Sequence, residues 1–382
     1  MTVLGLPSRP TGMMAKIGKL NWALITILCA IAFLGVMMQY SVAEGGSTRE
    51  PIVHGVRFIA LLIGVVLLAT LDLRIWLGIA YPLYALGLLL ILAVEVPGLG
   101  VTAGGATLWL KLGPVQFQPS EIMKIAIVLA TARYYAGIDP KRAGHVLTLI
   151  PPILMIAIPA GLVAAQPDLG TAVLIAISGI SVMFLAGLRW RYIIPAVILA
   201  VGGAVAAYQY VLQPYQRDRI EVFLGLQEDP LGDGYNIAQS KIAVGSAGLF
   251  GAGYTQGPQS QGDFVPEKHT DFIFTMIVEE FGLVGGYFVL ALYVGLLGAA
   301  MRVAATAKSL FARLTAAGIT TTIGAYVLIN TAMVLGLFPV VGIPLPLVSY
   351  GGSSMFTTMI GMAIVLSVDL HKEQTGARGM LW

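Results

Sequence analysis

Long apolar stretches separated by short polar ones dominate this chain. Ten of them approach the roughly 20 apolar residues that a helix needs to cross a bilayer: 20–40, 56–71, 76–94, 121–138, 146–165, 169–188, 191–212, 271–301, 314–337 and 350–368. The second is short for a span, and the eighth is long enough to tilt or protrude. The pattern predicts an all-α integral membrane protein, a ten-transmembrane-helix bundle forming one polytopic domain over 1–382. The first stretch follows Lys16 and Lys19 and ends on Ser41-Val42-Ala43, a small-x-small run like a signal-peptide cleavage site. Its length from Leu20 to Tyr40 exceeds a signal-peptide core, so it is expected to stay as the first helix.

Three polar or irregular segments interrupt the series. The longest, 213–270, lies between the seventh and eighth stretches and contains "GYNIAQSKIAVGSAGLFGAG". Its Ile237, Ile242 and Val244 predict a short interfacial or re-entrant helix ahead of a Gly-rich turn. The region 95–120 is too polar and Gly-rich to span, yet holds Trp109, Lys111 and Phe117. "PVVGIPLPLVSYGGSS" (339–354) is mostly apolar, but its prolines forbid regular helix. Irregular backbone at membrane depth is tolerated only against protein or a cavity, so this segment is expected to line something.

Composition sharpens the class. Only 11% of residues are charged, against about 25% in soluble domains. No basic run with interleaved aromatics occurs, which argues against a nucleic-acid partner. The single cysteine, Cys29, excludes an internal disulfide, and the four histidines lack metal-ligand spacing. Charge placement orients the chain. With both termini inside, 14 of the 22 Lys and Arg fall on the inner side, as the positive-inside rule requires. Thirteen of the 19 Asp and Glu then fall in outer loops or at their edges, so the polar chemistry is expected on the outer face.

Candidate chemistry concentrates in three stretches. "QPSEIMK" opens the fourth span with Glu121 and Lys124 on one helix face. It reads either as a helix start capped by Ser120 with a structural ion pair, or as the wall of a wet cavity. "QPDLGTA" places Asp168 where it caps the sixth helix or serves a site. "PEKHTDFIF" packs Glu267, Lys268, His269 and Asp271 against the start of the eighth span. Thr270 or Asp271 would make a good N-cap there, and the neighbouring cations would hold Asp271 ionised. If the helix ran on from Asp271, Glu279 and Glu280 would lie roughly 12–14 Å deeper and form no pair with it. They are expected to pair inside the bundle. "GLFGAG" lacks the following Lys-Ser/Thr of a P-loop and reads as a flexible turn.

These stretches, together with "DPLGDGYNIAQSKIAVGSAGLFGAG" and "PLPLVSYGGSS", occur in the order that marks the SEDS family (shape, elongation, division, sporulation). The resemblance runs from about residue 20 to 370, and its wording is most like the elongation branch. It implies a ten-span glycosyltransferase that polymerises lipid II into peptidoglycan glycan strands on the outer face of the cytoplasmic membrane. It also implies a class B penicillin-binding protein, the cross-linking transpeptidase, as partner. Matched by motif, Asp271 corresponds to the family's essential loop aspartate, and Glu121 and Lys124 to its polar pair. Trp109, Gln166, Asp168, Ser349, Tyr350 and Gly351 fall in its other motifs. Asp271 is expected to be the general base. Lys124, Lys268, Arg217 and Arg219 are expected to hold the diphosphate, a role a divalent Mg or Mn ion would be able to share, although no spacing predicts one. A lipid II flippase is the competing reading, and a scaffold for the cross-linking enzyme a third.

Overall fold

The computed structural model describes residues 12–372 except 44–46, 104–105, 113–114, 140–141, 143, 211, 213, 227–232 and 263. Some charges used above to orient the chain, such as Arg9, Glu228, Asp263 and Arg378, lie outside the described residues. A short α1 (Met13–Ile17) precedes α2 (Trp22–Ser41), α3 (Arg49–Ala69) and α4 (Leu73–Ala93). Three strands follow, β1 (Gly100–Ala103), β2 (Ala106–Leu112) and β3 (Val115–Phe117), then α5 (Pro119–Ala136), α6 (Val146–Ala165), α7 (Leu169–Leu185) and α8 (Trp190–Tyr210). The long loop holds α9 (Pro214–Phe223), α10 (Asp233–Ser246) and α11 (Pro258–Gln261). The chain ends with α12 (Ile273–Thr306), α13 (Leu310–Val334) and α14 (Gly352–His371). Seven of these helices, α2, α3, α4, α6, α12, α13 and α14, are long and apolar enough to cross a membrane. The protein is a multi-pass, mostly helical membrane protein.

Three expectations need correction. The protein is not all-α: 100–117 folds into a three-stranded antiparallel sheet in the order β1-β2-β3. Val101 faces Trp109 across the first pair, and Leu110 faces Phe117 across the second. The second apolar stretch is not short, because α3 begins at Arg49 and is 21 residues long. Its first turns carry Arg49, Glu50, His54 and Arg57, and that polarity hid the helix from a reading by hydropathy. The long loop contains three described helices, where one was expected.

Helices α5, α7 and α13 pack against one another at the centre, with α14 on α3 and α12 on α2 and α13. Helix α5 is buried on nearly every face, as a helix surrounded by others must be. Helix α13 carries its polarity inward. Thr320, Thr322 and Thr331 each bond the carbonyl four residues earlier, and the Thr322 hydroxyl also meets Ser178 Oγ of α7 at 2.9 Å.

The Gly-rich turn has a structural role. Helix α12 breaks at Gly282, whose φ of 69° and ψ of −168° are open to glycine. Segment 248–253 lies along the break. Leu283 and Val284 N–H donate to Gly248 and Leu249 carbonyls, and Ala252 and Gly253 N–H donate to Glu279 and Glu280 carbonyls. A Cβ on Gly282 would stand 2.2 Å from the Leu249 carbonyl oxygen. "GLFGAG" is a splint that satisfies an interrupted helix, as backbone in a membrane protein requires.

Candidate active site

The described residues line a cavity of about 940 Å³. Its wall is the irregular segment 338–344 with Tyr350 and Gly351, its floor is α5 and α13, and β2 and α9 contribute from the other sides. The prolines keep the 339–347 backbone out of regular helix, and bundle side chains satisfy it: His54 Nε2 lies 2.9 Å from the Leu347 carbonyl oxygen. Gly170 lets the segment approach α7, since a Cβ there would be 2.3 Å from the Val341 carbonyl oxygen.

At the floor, Lys124 Nζ donates to Glu121 Oε1 at 2.8 Å. Tyr326 from α13 joins them: its hydroxyl lies 2.9 Å from Glu121 Oε2 and also contacts Lys124. Lys124 is 1% exposed and Glu121 4%, so both charges have left water and depend on this triad. The two readings of the pair therefore merge, because it is a buried ion pair whose residues also line the cavity. Ser120 is not the cap of α5. Gln118 holds that position, with Pro119 at the first helical residue, where the missing N–H costs nothing.

Asp168 caps α7 by accepting from Thr171 N–H at 3.0 Å, and its other oxygen accepts from Gln118 Nε2 at 2.9 Å. Burial pushes the Asp168 carboxyl above its ordinary range, against the pull of its hydrogen bonds with Thr171.

Asp271 lies in a turn, not at a cap. Helix α12 starts at Ile273, its N-cap is Phe272, and no side chain caps it. The Thr270 hydroxyl instead donates to Glu267. The Asp271 carbonyl accepts from Asn330 Nδ2 at 2.8 Å, and its side chain lines the cavity beside Gly342, where a Cβ would be 3.6 Å from Oδ2. Glu279 and Glu280 pair inside the protein as expected, and the turn at 266–272 makes the distance along an ideal helix inapplicable. Glu279 accepts from the N–H groups of Gln259 and Ser260 at the start of α11, at 2.6 and 3.0 Å. Glu280 accepts from Ser41 and Ser260 hydroxyls.

Glu121, Lys124, Trp109, Asp168, Arg219, Asp271, Tyr350 and Gly351 therefore meet around one cavity. Four candidates do not line it. Gln166 donates to the Ile91 carbonyl at 2.8 Å and ties α6 to α4. Ser349 donates to the Thr270 carbonyl at 2.6 Å. Lys268 is 4% exposed, and its Nζ donates to the Ser260 carbonyl. Arg217 donates to the Gln209 carbonyl at 3.0 Å. In each, a backbone carbonyl occupies the group that was expected to meet substrate. Sequence reasoning missed Tyr326, Asn330 and Gln118. A signal for the first two existed: Thr322, Tyr326 and Asn330 recur every four residues, a polar stripe on one face of an apolar span.

No group of three His, Cys, Asp or Glu among the described residues would hold a metal ion. Glu121 is engaged by Lys124 and Tyr326, and Asp168 by Gln118 and Thr171. Among the described residues the side chains do not build a dedicated cage.

A model of the FtsW, RodA and SpoVE cell cycle proteins matches residues 19–374. The chain belongs to the SEDS family. Among SEDS relatives, the peptidoglycan glycosyltransferase MrdB of Escherichia coli K12 is 45% identical over 316 residues, 82% of this chain and 83% of that one. The probable peptidoglycan glycosyltransferase FtsW of Trichlorobacter lovleyi is 33% identical, over 93% of this chain and 94% of that one. The higher identity to MrdB agrees with the elongation-like wording of the motifs. A SEDS structure from Thermus thermophilus, the rod shape determining protein RodA, superposes with a TM-score of 0.68 at 31% identity, covering 93% of this chain and 98% of that one. A chain from a peptidoglycan synthase complex that coordinates polymerization and crosslinking reaches 0.80 at 32% identity, covering 93% and 99%.

Proposed function

We propose that this protein is an inverting peptidoglycan glycosyltransferase that polymerises lipid II, with Asp271 as general base. One observation carries the reading. The Asp271 carboxyl, the Glu121–Lys124–Tyr326 triad, Arg219 and Trp109 converge on a cavity that also has an apolar, proline-rich wall. Polar groups there suit a diphosphate and sugars, and the apolar wall suits prenyl chains. The names of the relatives support the same reaction class.

In this reading a sugar hydroxyl of the acceptor attacks the anomeric carbon of an α-linked lipid-diphosphate sugar from the opposite face. The new β-linkage forms as the bond to the diphosphate breaks, and the hydroxyl proton passes to Asp271. A hydroxyl is too weak an acid to ionise first, so the carboxylate acts late, as the bond forms. The leaving diphosphate is already an anion and needs no proton. One carboxylate therefore suffices where a glycoside hydrolase uses two. Arg219 and Lys124, which line the same cavity, stabilise the charge that develops on the diphosphate. Trp109 offers a flat apolar face to a sugar ring.

The chain is assigned ten spans, both termini in the cytoplasm and the cavity on the outer face of the cytoplasmic membrane, supported by the excess of Lys and Arg in the inner segments. A class B penicillin-binding protein is the assigned partner, supported by the likeness to a chain of a synthase complex. The test is polymerisation of lipid II by purified protein and by Asp271→Asn, which keeps the shape but removes the base. Polymer at near wild-type rate from the variant would assign the base elsewhere. In proteoliposomes, labelled lipid II that crosses the membrane without polymer forming would favour the flippase.

A further inference from the structure

The turn that carries Asp271 presents three consecutive carbonyls, and each is gripped by a different part of the protein. The His269 carbonyl accepts from Gln39 Nε2 of α2 at 3.0 Å and from Tyr350 N–H at 2.8 Å. The Thr270 carbonyl accepts from Ser349 Oγ at 2.6 Å. The Asp271 carbonyl accepts from Asn330 Nδ2 of α13 at 2.8 Å. Two of these side chains also reach the proline-rich wall. Asn330 Nδ2 donates to the Ile343 carbonyl at 2.7 Å, and Ser349 Oγ accepts from Leu345 N–H at 2.8 Å.

We infer that Asn330, Ser349 and Gln39 are positioning residues that fix the Asp271 carboxyl against the cavity wall, with Asn330 the central one. The inference rests on Asp271 being the base. One Asn330 amide bonds both the residue that carries the carboxyl and Ile343, the neighbour of Gly342. Gly342 faces Asp271 Oδ2 and has φ 65°, so residue 342 brings the wall up to the carboxyl without a side chain of its own. Asn330 is fully buried and its Oδ1 has no hydrogen-bond partner among the described residues. A buried amide with an unsatisfied acceptor is an expensive way to fill a helix face. Its two short bonds to two cavity segments give that expense a purpose, because a misplacement of about 1 Å at a reacting group costs on the order of 100-fold in rate.

The experiment compares lipid II polymerisation by wild type, Asn330→Ala, Ser349→Ala and Asp271→Asn, with Met333→Ala as a packing control. Met333 is fully buried one turn from Asn330 and does not line the cavity. Asn330→Ala is expected to lower kcat roughly 10- to 100-fold with KM for lipid II within about twofold. Ser349→Ala is expected to lower kcat less, again at unchanged KM. Met333→Ala is expected to lower the melting temperature and leave kcat in place. An unchanged kcat in Asn330→Ala overturns the inference, as does a loss of kcat that tracks melting temperature across all variants including Met333→Ala. If Asn330→Ala does not fold, Ser349→Ala decides by the same criteria. Asp271→Asn separates the two claims: an active variant removes the base assignment. An inactive one beside a fully active Asn330→Ala removes only the positioning role.

Discussion

Asp271 and Glu279 are eight residues apart, and the protein uses their carboxyls in opposite ways. Asp271 is anchored through its main chain, whose carbonyl accepts from Asn330, and its side chain lines the cavity. Glu279 is anchored through its side chain, which holds two N–H groups at the start of α11. The turn that carries Asp271 is thus held through its main chain, while the Glu279 carboxyl itself holds a loop. Glu121 stands between the two, since it lines the cavity but spends both oxygens on Tyr326 and Lys124.

The largest expected effect tests the first half of the contrast. Asp271→Asn should lower polymerisation by about 10²- to 10⁴-fold, the usual contribution of a general base, with little change in melting temperature. A comparable loss in Glu279→Gln, in protein that melts like wild type, would break the comparison. Glu121→Ala comes next. It leaves Lys124 buried at 1% exposure without its anion, and loss of a buried ion-pair partner costs about 3–5 kcal/mol. Thermal unfolding in detergent should show a large drop, and an unchanged melting temperature would mean that Lys124 is not held by this pair.

Glu279→Ala should be milder. It orphans the Gln259 and Ser260 N–H groups, at about 1–3 kcal/mol, and should expose the 254–262 loop to protease while the intact fraction keeps its kcat. A kcat loss without loop exposure would give Glu279 a role in the cavity.

Asp168 should give the smallest effect, visible as a pH dependence. Burial raises its carboxyl in the folded state, so the folded protein binds the proton more tightly than the unfolded chain. Its contribution to stability is best below the unfolded value of about 3.9 and falls as pH rises through the folded value. Asp168→Asn removes that decline, so the melting temperature of the variant relative to wild type should climb from about pH 4 to neutrality. A difference that stays constant with pH would mean that burial does not govern this group.

Much of this was legible in one dimension. Hydropathy located the long helices apart from the first turns of α3, and the polar stretches named eight of the residues that surround the cavity, because charge and proline are costly in a membrane and persist there only with a reason. The failures share a cause. Gln166, Ser349 and Lys268 sit in the quoted motifs and Arg217 in the long loop, yet each donates to a backbone carbonyl elsewhere in the chain. Which acceptor a donor finds depends on the path of other segments. The sheet at 100–117 was hidden by its polarity and glycines, and α3 by the charges in its first turns.

The sequence by itself determined the membrane class, the apolar helices, the irregular segment 339–351 and the chemical types available to the site, since each follows from local composition and covalent geometry. Only the tertiary structure decided which carboxyl faces the cavity and which is spent on a loop. It did so through Asn330, Tyr326 and Gln118, whose partners are 59, 205 and 50 residues away. A hydrogen bond depends on distance and direction in space, and spacing along a chain sets neither beyond one helix or turn.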